Sequence, residues 1–448
     1  MLQLANQPDA QEAFCTFSYF AHLNQTPMLL PWTPSQKYFF RFFFVFLALL
    51  TIVAYNPLMI ALNMSYPEML AVYAKLEGFV YWIDTNFFHI GFEAGKNTTF
   101  FSNTYFGVVL TIFIFFASII SSFAWTIAAK PVSNYNHLYY WFCNYLAYYI
   151  FLAMSTYAMY KVFPTQTSYP TAPQLLARWG DLPNWEILFR FMGTSPGYSM
   201  FCGWLELIAS VLILFNRWRV VGALLMATIT FHIVLLNVFY NNNVIMLAAS
   251  LWLCSMFMLA RTFPKLYRIF IRQKPVSLAE TRYFFSTPWK KYVMIALCFI
   301  PAYRFVHLTI GSWQYYSRQV HNEKNQRLFN VTSYEQDGLT IPPLTTDTVR
   351  WKYVCFIDYS PTNKHLVKFD MKENSVNLIR RVDSTNQVMT FINRRDTTSK
   401  SVFHFTNLPN GNFMLSGRWK GSQLRMELTE MSIDSMTLVK DKFAFIQE

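Results

Sequence analysis

The sequence predicts a polytopic α-helical membrane bundle followed by a C-terminal antiparallel β sandwich or small barrel. Three observations lead to this fold class. Of the 448 residues, 54% are hydrophobic and 14% are charged, whereas soluble globular proteins carry about 25% charged residues. Long uncharged runs fill the chain before residue 314. Beyond residue 349, apolar and polar residues alternate in short runs, which is the period of a half-buried strand.

The apolar runs define a transmembrane domain at 37–313, because about 20 such residues cross a bilayer. Glu206 is the one charged residue of its run, and Arg304 and His307 interrupt the last. The triplet Asn241-Asn242-Asn243 divides the longest run by a tight turn, since Asn tolerates turn geometry. The runs are 42–62, 100–129, 137–160, 197–216, 220–260 and 292–313. They predict about seven spans.

Basic residues predict the orientation of these spans. Between 261 and 291 lie eight Lys or Arg against one acid, Glu280. Loops of this kind stay in the cytoplasm, and the N-terminal segment 1–36 then lies on the same side. With seven spans, the C-terminal domain lies outside the cytoplasm, which for a bacterial inner membrane is the periplasm. Because the basic excess of the chain serves orientation, membrane lipid is the expected partner and nucleic acid is not.

Two segments are predicted to be neither spans nor simple loops. Residues 63–99 are semi-polar, which indicates interfacial helix on the outer face. Residues 161–196 contain four prolines before the proline at 196, which break the chain into short pieces and favour a surface or re-entrant segment.

The β-rich domain is predicted over 349–448, after a linker at 314–348. Its alternating runs, such as 349–353 and 424–428, are separated by turn sequences. Short strands at this spacing predict an antiparallel sandwich or small barrel. Cys355 is the only one of the six cysteines in this domain, which excludes a disulfide within it.

Five residues are candidates for ligand binding: Glu206, Arg190, Asn237, Arg304 and His307. Glu206 is the sharpest, because a carboxylate inside an apolar span persists only when it is paired, protonated or next to water. It either contacts a proton or a ligand in the bundle, or it ties helices together through a residue such as Arg190 or Asn237. Arg190 either snorkels to the membrane interface or belongs to a site.

Arg304 and His307 lie three residues apart on one face of the last span. They could bind an anion or a quinone carbonyl at the outer surface, or mark a helix end packed on a polar loop. No phosphate-binding loop, zinc-protease, hydrolase or paired-carboxylate motif occurs, and no Cys or His has metal-ligand spacing. The sequence therefore predicts no catalytic residue and no metal site.

Several short sequence stretches together resemble a known membrane-protein family. They are residues 191–198 (FMGTSPGY), 203–206 (GWLE), 222–224 (GAL), 235–240 (LLNVFY) and 417–424 (GRWKGSQL). This set resembles the DoxX-like integral membrane family, especially its larger Bacteroidetes-type members with a C-terminal β domain. The resemblance implies a DoxX-like four-helix core, with Glu206 where relatives commonly have an acid. It also implies a link to quinone-dependent redox complexes, so quinone is the one cofactor that it suggests.

The same resemblance predicts an acid, a lysine and a histidine after residue 240. Asn241, Ile245 and Ser250 stand at those places. The loss of three ionisable groups argues against a proton- or electron-coupled role. It favours a non-catalytic subunit or scaffold of an envelope complex, whose exported β domain contacts a partner protein. The alternatives are a quinone-associated membrane redox protein and a carrier of lipid or another apolar ligand.

Overall fold

The computed structural model describes residues 31–54, 59, 64, 66–95, 103–278, 288–360, 362–394, 396 and 398–440. Residues 1–30 of the predicted cytoplasmic segment lie outside the described residues, as do parts of the interfacial segment and of the basic loop. The described chain forms helices up to Lys324 and strands from Gln326. This confirms the predicted order of a helical part and then an antiparallel β part.

Twelve helices precede the first strand in the described ranges. They are α1 (Pro34–Ala54), α2 (Tyr66–Ala74), α3 (Glu77–Ile83), α4 (Tyr105–Ala128), α5 (Asn136–Val162), α6 (Ala172–Leu175), α7 (Asn184–Thr194), α8 (Pro196–Leu212), α9 (Arg219–Phe239), α10 (Ile245–Leu259), α11 (Phe263–Phe270) and α12 (Pro288–Lys324). The Asn triplet does form the turn between α9 and α10, where Asn241 has a φ of 51°.

Three described helices are long and apolar enough to cross a membrane: α1, α4 and α9. The pair α10 and α11, bent by 74°, would supply a fourth if it forms one broken span. These helices support a membrane protein. The number of about seven spans stays a prediction.

Helix α5 occupies the centre of the bundle, where it packs against α8, α10 and α12. Most of its residues from Leu146 to Ser155 are buried by neighbouring helices. A helix surrounded by protein can carry polar atoms that hydrogen-bond within the bundle. This position suits the many tyrosines of α5, three of which, Tyr139, Tyr140 and Tyr149, are buried.

The segment 161–196 consists of short pieces, as its prolines predict. After α5 the chain forms α6, a 3₁₀ turn at Trp179–Asp181 and α7. Thr171 and Gln174 form a capping box at the start of α6. This segment lies beside both the bundle and the β part, because Ala172 packs with Leu328 and Val367.

The β part is a closed antiparallel barrel of eight strands, which decides between the two predicted architectures. The described β part has nine strands, of which all but the two-residue β2 form the barrel: β1 (Gln326–Gln336), β2 (Leu339–Thr340), β3 (Trp351–Asp358), β4 (Lys364–Asp370), β5 (Ser375–Asp383), β6 (Val388–Asn393), β7 (Lys400–Asn407), β8 (Phe413–Trp419) and β9 (Ser422–Met431). Each long strand pairs with the next, and β9 pairs back with β1. Within the described residues, the short β2 pairs only with the end of β1.

The barrel begins well before the predicted boundary at 349. Residues 314–348, predicted as a linker, contain the last turns of α12 and the whole of β1. The polar residues of this stretch belong to a helix that extends beyond the apolar run. Large apolar side chains, including Phe329, Trp351 and Phe403, fill the barrel interior.

Candidate ligand-binding site

Glu206 lies in the interior of α8 with 3% of its surface exposed. Its Oε1 forms an ion pair with Lys161 Nζ from the last turn of α5. Its Oε2 is buried and has no hydrogen-bond partner within the described ranges. The predicted tie between helices therefore exists, but Lys161 makes it, and not Arg190 or Asn237.

Two glycines allow the backbones around this ion pair to approach closely. A Cβ on Gly203 would lie 2.6 Å from Val162 N and 2.8 Å from Ala158 O. A Cβ on Gly193 would lie 2.2 Å from Ser168 O. Real Cβ atoms are not found at these distances, so glycine is required. Gly203 thus brings α8 against the end of α5 and places Glu206 beside Lys161.

A cavity of about 530 Å³ adjoins Glu206, within the usual range of about 300–1,000 Å³ for ligand pockets. Helices α5, α7, α8, α9 and α10 contribute its walls. Most lining side chains are apolar or aromatic. The polar ones are Tyr157, Lys161, Gln166, Thr167, Tyr198, Cys202, Glu206, Thr228, Thr230, His232, Asn237, Tyr240 and Asn242.

Asn237 places a hydrogen-bond donor at this cavity. The N–H of Asn243 donates to Asn242 Oδ1 at 3.0 Å, which fixes the Asn242 amide. Asn242 Nδ2 then donates to Asn237 Oδ1 at 3.0 Å. The remaining group, Asn237 Nδ2, is buried without a partner in the described structure. Gln166 Oε1, on the same cavity wall, is also unsatisfied there.

The cavity opens on the side of the bundle between α8 and α9. Phe201 is 57% exposed and Leu205 is 39% exposed. Thr228 and His232 of α9 are exposed on the opposite edge of the opening. The exposed side of α9, a helix long and apolar enough to cross a membrane, therefore borders the cavity.

The structure separates the other candidates from Glu206. Arg190 pairs with Glu186 at 2.6 Å and lines a second cavity of about 590 Å³ beside Met436. Arg304 is buried in α12, and its Nη2 donates to Thr156 Oγ1 of α5 at 3.4 Å. His307 is exposed and packs against Tyr303. Arg304 and His307 thus face different surroundings, and neither lines the Glu206 cavity.

The barrel is attached to the bundle through polar contacts. The Ala172 N–H donates to Gln326 Oε1 at 2.9 Å. Glu373 accepts from Lys352 at 2.7 Å and from Arg178 at 2.8 Å. These two cations hold the pKa of Glu373 below its usual range, Lys352 having the larger effect.

The barrel contains a buried lysine that lies beside two tryptophan rings. Lys368 is 8% exposed, and its Nζ lies 5.1 Å and 5.5 Å from the ring centroids of Trp351 and Trp419. Burial lowers the pKa of Lys368 to about 8, an effect that nearby Asp370 opposes and Lys420 reinforces.

Sequence reasoning missed Lys161 and Gln166. Both lie just beyond the uncharged run 137–160, in a segment predicted to be surface or re-entrant. The available signal was Gly203, three residues before Glu206, because small residues permit close helix packing in membranes. That signal does not tell which helix approaches.

The described residues contain no group of three or more His, Cys, Asp or Glu side chains placed to hold a metal ion. Comparison with protein-family models, curated proteins and solved structures finds no significant match for this chain.

Proposed function

We propose that the helical bundle binds a small amphipathic molecule in the cavity beside Glu206. The polar head of the ligand lies near Lys161 and Glu206, and its apolar part points to the side opening. One observation carries this proposal: Glu206 and Asn237 line a largely apolar cavity, and each has a buried polar atom, Oε2 and Nδ2, without a hydrogen-bond partner in the described structure. A buried unpaired polar group costs about 1–3 kcal/mol, so a ligand that pairs with both groups stabilises the protein.

A purely structural ion pair is the simplest alternative. It explains why Glu206 Oε1 and Lys161 are buried next to each other. It explains neither the second oxygen of Glu206 nor Asn237, and it does not require a cavity of this volume. Since the barrel interior is filled by its own side chains, the apolar-ligand hypothesis belongs to the bundle cavity.

Purification of the full chain in mild detergent, followed by native mass spectrometry and solvent extraction, tests the proposal. We expect about one amphipathic molecule per chain. Thr228→Trp should reduce its retention by blocking the opening. Val221→Trp is the matched control, because Val221 is exposed on the same helix and does not line the cavity. Retention of no molecule, or equal retention by both variants, would contradict the proposal.

A role as a non-catalytic subunit or scaffold is compatible with ligand binding. We propose this role for a DoxX-like bundle that carries an exported barrel. The contacts of Gln326 and Glu373 with the 172–178 segment support it, because they hold the barrel as a platform for a partner protein. Gentle-detergent purification with identification of co-purifying proteins is the test, and recovery of a lone monomer would count against the scaffold.

Quinone is one amphipathic molecule to consider. Its carbonyl oxygens accept hydrogen bonds but do not donate them, so they can pair with Asn237 Nδ2 and leave Glu206 Oε2 unsatisfied. The oxidised head is therefore a poor complement to this site, and its reduced form is a better one. Extraction of lipids and an optical spectrum of the purified protein test the redox alternative, which requires bound quinone.

We also propose an inner-membrane location with the barrel on the periplasmic side, supported by the basic loop after α10. Lys400→Cys in the barrel and Lys274→Cys in that loop replace two exposed lysines. In cells with a permeable outer envelope, a membrane-impermeant maleimide should label only the Lys400→Cys variant. Labelling of Lys274→Cys without disruption of the inner membrane would reverse the topology.

A further inference from the structure

Resting on the proposed binding function, we infer that the cavity recognises an uncharged head that bears a hydroxyl group. The ligand class is thus a neutral lipid alcohol, such as a monoacylglycerol or a long-chain prenol. The inference follows from the direction of the unsatisfied hydrogen bonds and from the balance of charge around them.

The site requires both a donor and an acceptor from its ligand. The oxygens Glu206 Oε2 and Gln166 Oε1 only accept hydrogen bonds, and the amide nitrogen Asn237 Nδ2 only donates them. The chain of bonds from Asn243 through Asn242 fixes the second assignment. A hydroxyl group both donates and accepts. It is the smallest neutral group that can pair with either kind of atom.

The charges at the cavity cancel one another. Among its lining residues, Lys161 and Glu206 are a cation and an anion in direct contact, and His232 lies at the exposed rim. A phosphate or carboxylate head would meet the free oxygen of Glu206. An ammonium head would lie near Lys161 with no second anion. Burying an unpaired charge costs far more than burying a paired polar group, so a neutral head is favoured.

The remaining walls fit an apolar tail. Phe189, Phe201, Ile233 and Leu251 line the cavity, and the side opening lets a longer chain extend into lipid. The head alone therefore distinguishes ligands that share one tail.

Cys202 supplies a local reporter, because it lines this cavity and is partly exposed, whereas Cys143 and Cys254 are buried. The full chain in nanodiscs is treated with an apolar maleimide, and labelling of Cys202 is followed by peptide mass spectrometry. Four probes share an oleoyl or oleyl chain: 1-oleoylglycerol, its di-O-methyl ether, oleic acid and oleylamine. We expect 1-oleoylglycerol to protect Cys202 at about tenfold lower concentration than each other probe, because an unpaired buried group costs about 1–3 kcal/mol.

Asn237→Leu should weaken protection by 1-oleoylglycerol about tenfold. Asn216→Leu is the matched control, because Asn216 lies outside the cavity and donates to Tyr140. The probe series uses the wild-type chain, so it decides the question even if a variant fails to fold.

Equal protection by all four probes, or strongest protection by oleic acid or oleylamine, would overturn the neutral-hydroxyl head. The binding function itself would survive both outcomes. If no probe protects Cys202 but an endogenous molecule co-purifies, the assignment of a neutral hydroxyl head is overturned, whereas the binding function is not. Absence of both protection and a co-purified molecule would overturn the binding function as well, leaving a hydrated ion pair.

Discussion

At the residue scale, Lys161 is the cation that compensates Glu206. Lys161→Met should destabilise the protein by about 3–5 kcal/mol, because it leaves a buried carboxylate without its partner. Adding Glu206→Leu should restore most of that loss, since the double variant buries no charge. Denaturant unfolding of the purified full chain in detergent, arranged as a double-mutant cycle, measures the coupling.

Glu186→Gln supplies the control for this cycle. Glu186 also pairs with a basic residue, Arg190, but the two side chains are 25% and 14% exposed. A partly exposed pair of this kind contributes about 0–1 kcal/mol. Equal losses in Lys161→Met and Glu186→Gln would show that the Glu206 pair is not special. A double variant less stable than Lys161→Met would also contradict the explanation.

Lys368 gives a pH-dependent prediction. Its pKa is lowered to about 8 by burial, so its charged form is disfavoured in the folded barrel. Below pH 8 the destabilisation is constant, because folded and unfolded chains are both protonated. As the pH rises from about 8 to about 10.4, the unfolded chain binds more protons and stability increases. Lys368→Met should remove this increase and stabilise the barrel at pH 7 by about 2 kcal/mol.

The resistance of the barrel to proteolysis after graded heating, at pH 7 and pH 9.5, measures this effect in the full chain. Lys400→Met is the control, because Lys400 is exposed on β7. It should follow the wild type at both pH values. A pH response in Lys368→Met equal to that of the wild type would assign the effect to another group.

The sequence predicts Glu206 as a site residue but does not predict which residues surround it, and the reason is physical. A single acid in an apolar run is costly unless it is paired, protonated or next to water, so Glu206 could be predicted as a site residue. Its surroundings depend on which helices meet, which no linear pattern contains. Asn237 joins Glu206 at one cavity, whereas Arg190, Arg304 and His307 lie elsewhere. Each of those three is a polar residue whose chemistry alone does not select a partner.

At the element scale, close packing of α8 on α5 positions the ion pair. Gly203→Ala places a methyl group where Val162 N would lie 2.6 Å away, so the helices must separate. We expect a loss of about 1–3 kcal/mol from overpacking and weaker ligand retention. Gly197→Ala on the same helix meets nothing within 4 Å. It should be neutral or stabilising by up to about 1 kcal/mol.

Thermal unfolding and ligand retention of the two variants, measured side by side, test this packing. Identical behaviour of Gly203→Ala and Gly197→Ala would mean that the contact yields without cost. If Gly203→Ala lowers stability but retains the ligand fully, close packing of α8 on α5 is not needed for ligand binding.

Elements were predictable where one physical signal dominated. Apolar runs located α1, α4 and α9, and alternation located most strands. These sequence patterns did not predict features that depend on tertiary contacts. Helix α12 continues into a polar stretch up to Lys324, for which the sequence predicts a linker because an apolar run ends near Trp313. Barrel closure depends on pairing of β1 with β9, the first strand with the last, and sequence spacing leaves that pairing open.

At the scale of the whole molecule, the 171–178 segment joins the bundle to the barrel. Ala172 packs against the outer barrel face formed by Leu328, Val367 and Phe369. Arg178 reaches Glu373 beyond the end of β4. The sequence indicated two parts and their order, but this joint combines residues about two hundred positions apart, as the pair of Arg178 and Glu373 shows.

Glu373 provides the test of this joint. Because Lys352 and Arg178 lower its pKa, its stabilisation is complete above the usual glutamate pKa and is lost as the pH falls through the lowered value. Glu373→Gln should therefore raise hydrogen exchange a few-fold in residues 171–182 at pH 7, since partly exposed pairs contribute about 0–1 kcal/mol. Hydrogen exchange in the barrel strands should not change.

Glu430→Gln is the matched control, because Glu430 pairs with Arg327 inside the barrel part. At low pH, wild type and Glu373→Gln should converge in residues 171–182. A persistent difference there, or an equal effect of Glu430→Gln, would show that Glu373 does not hold the two parts together.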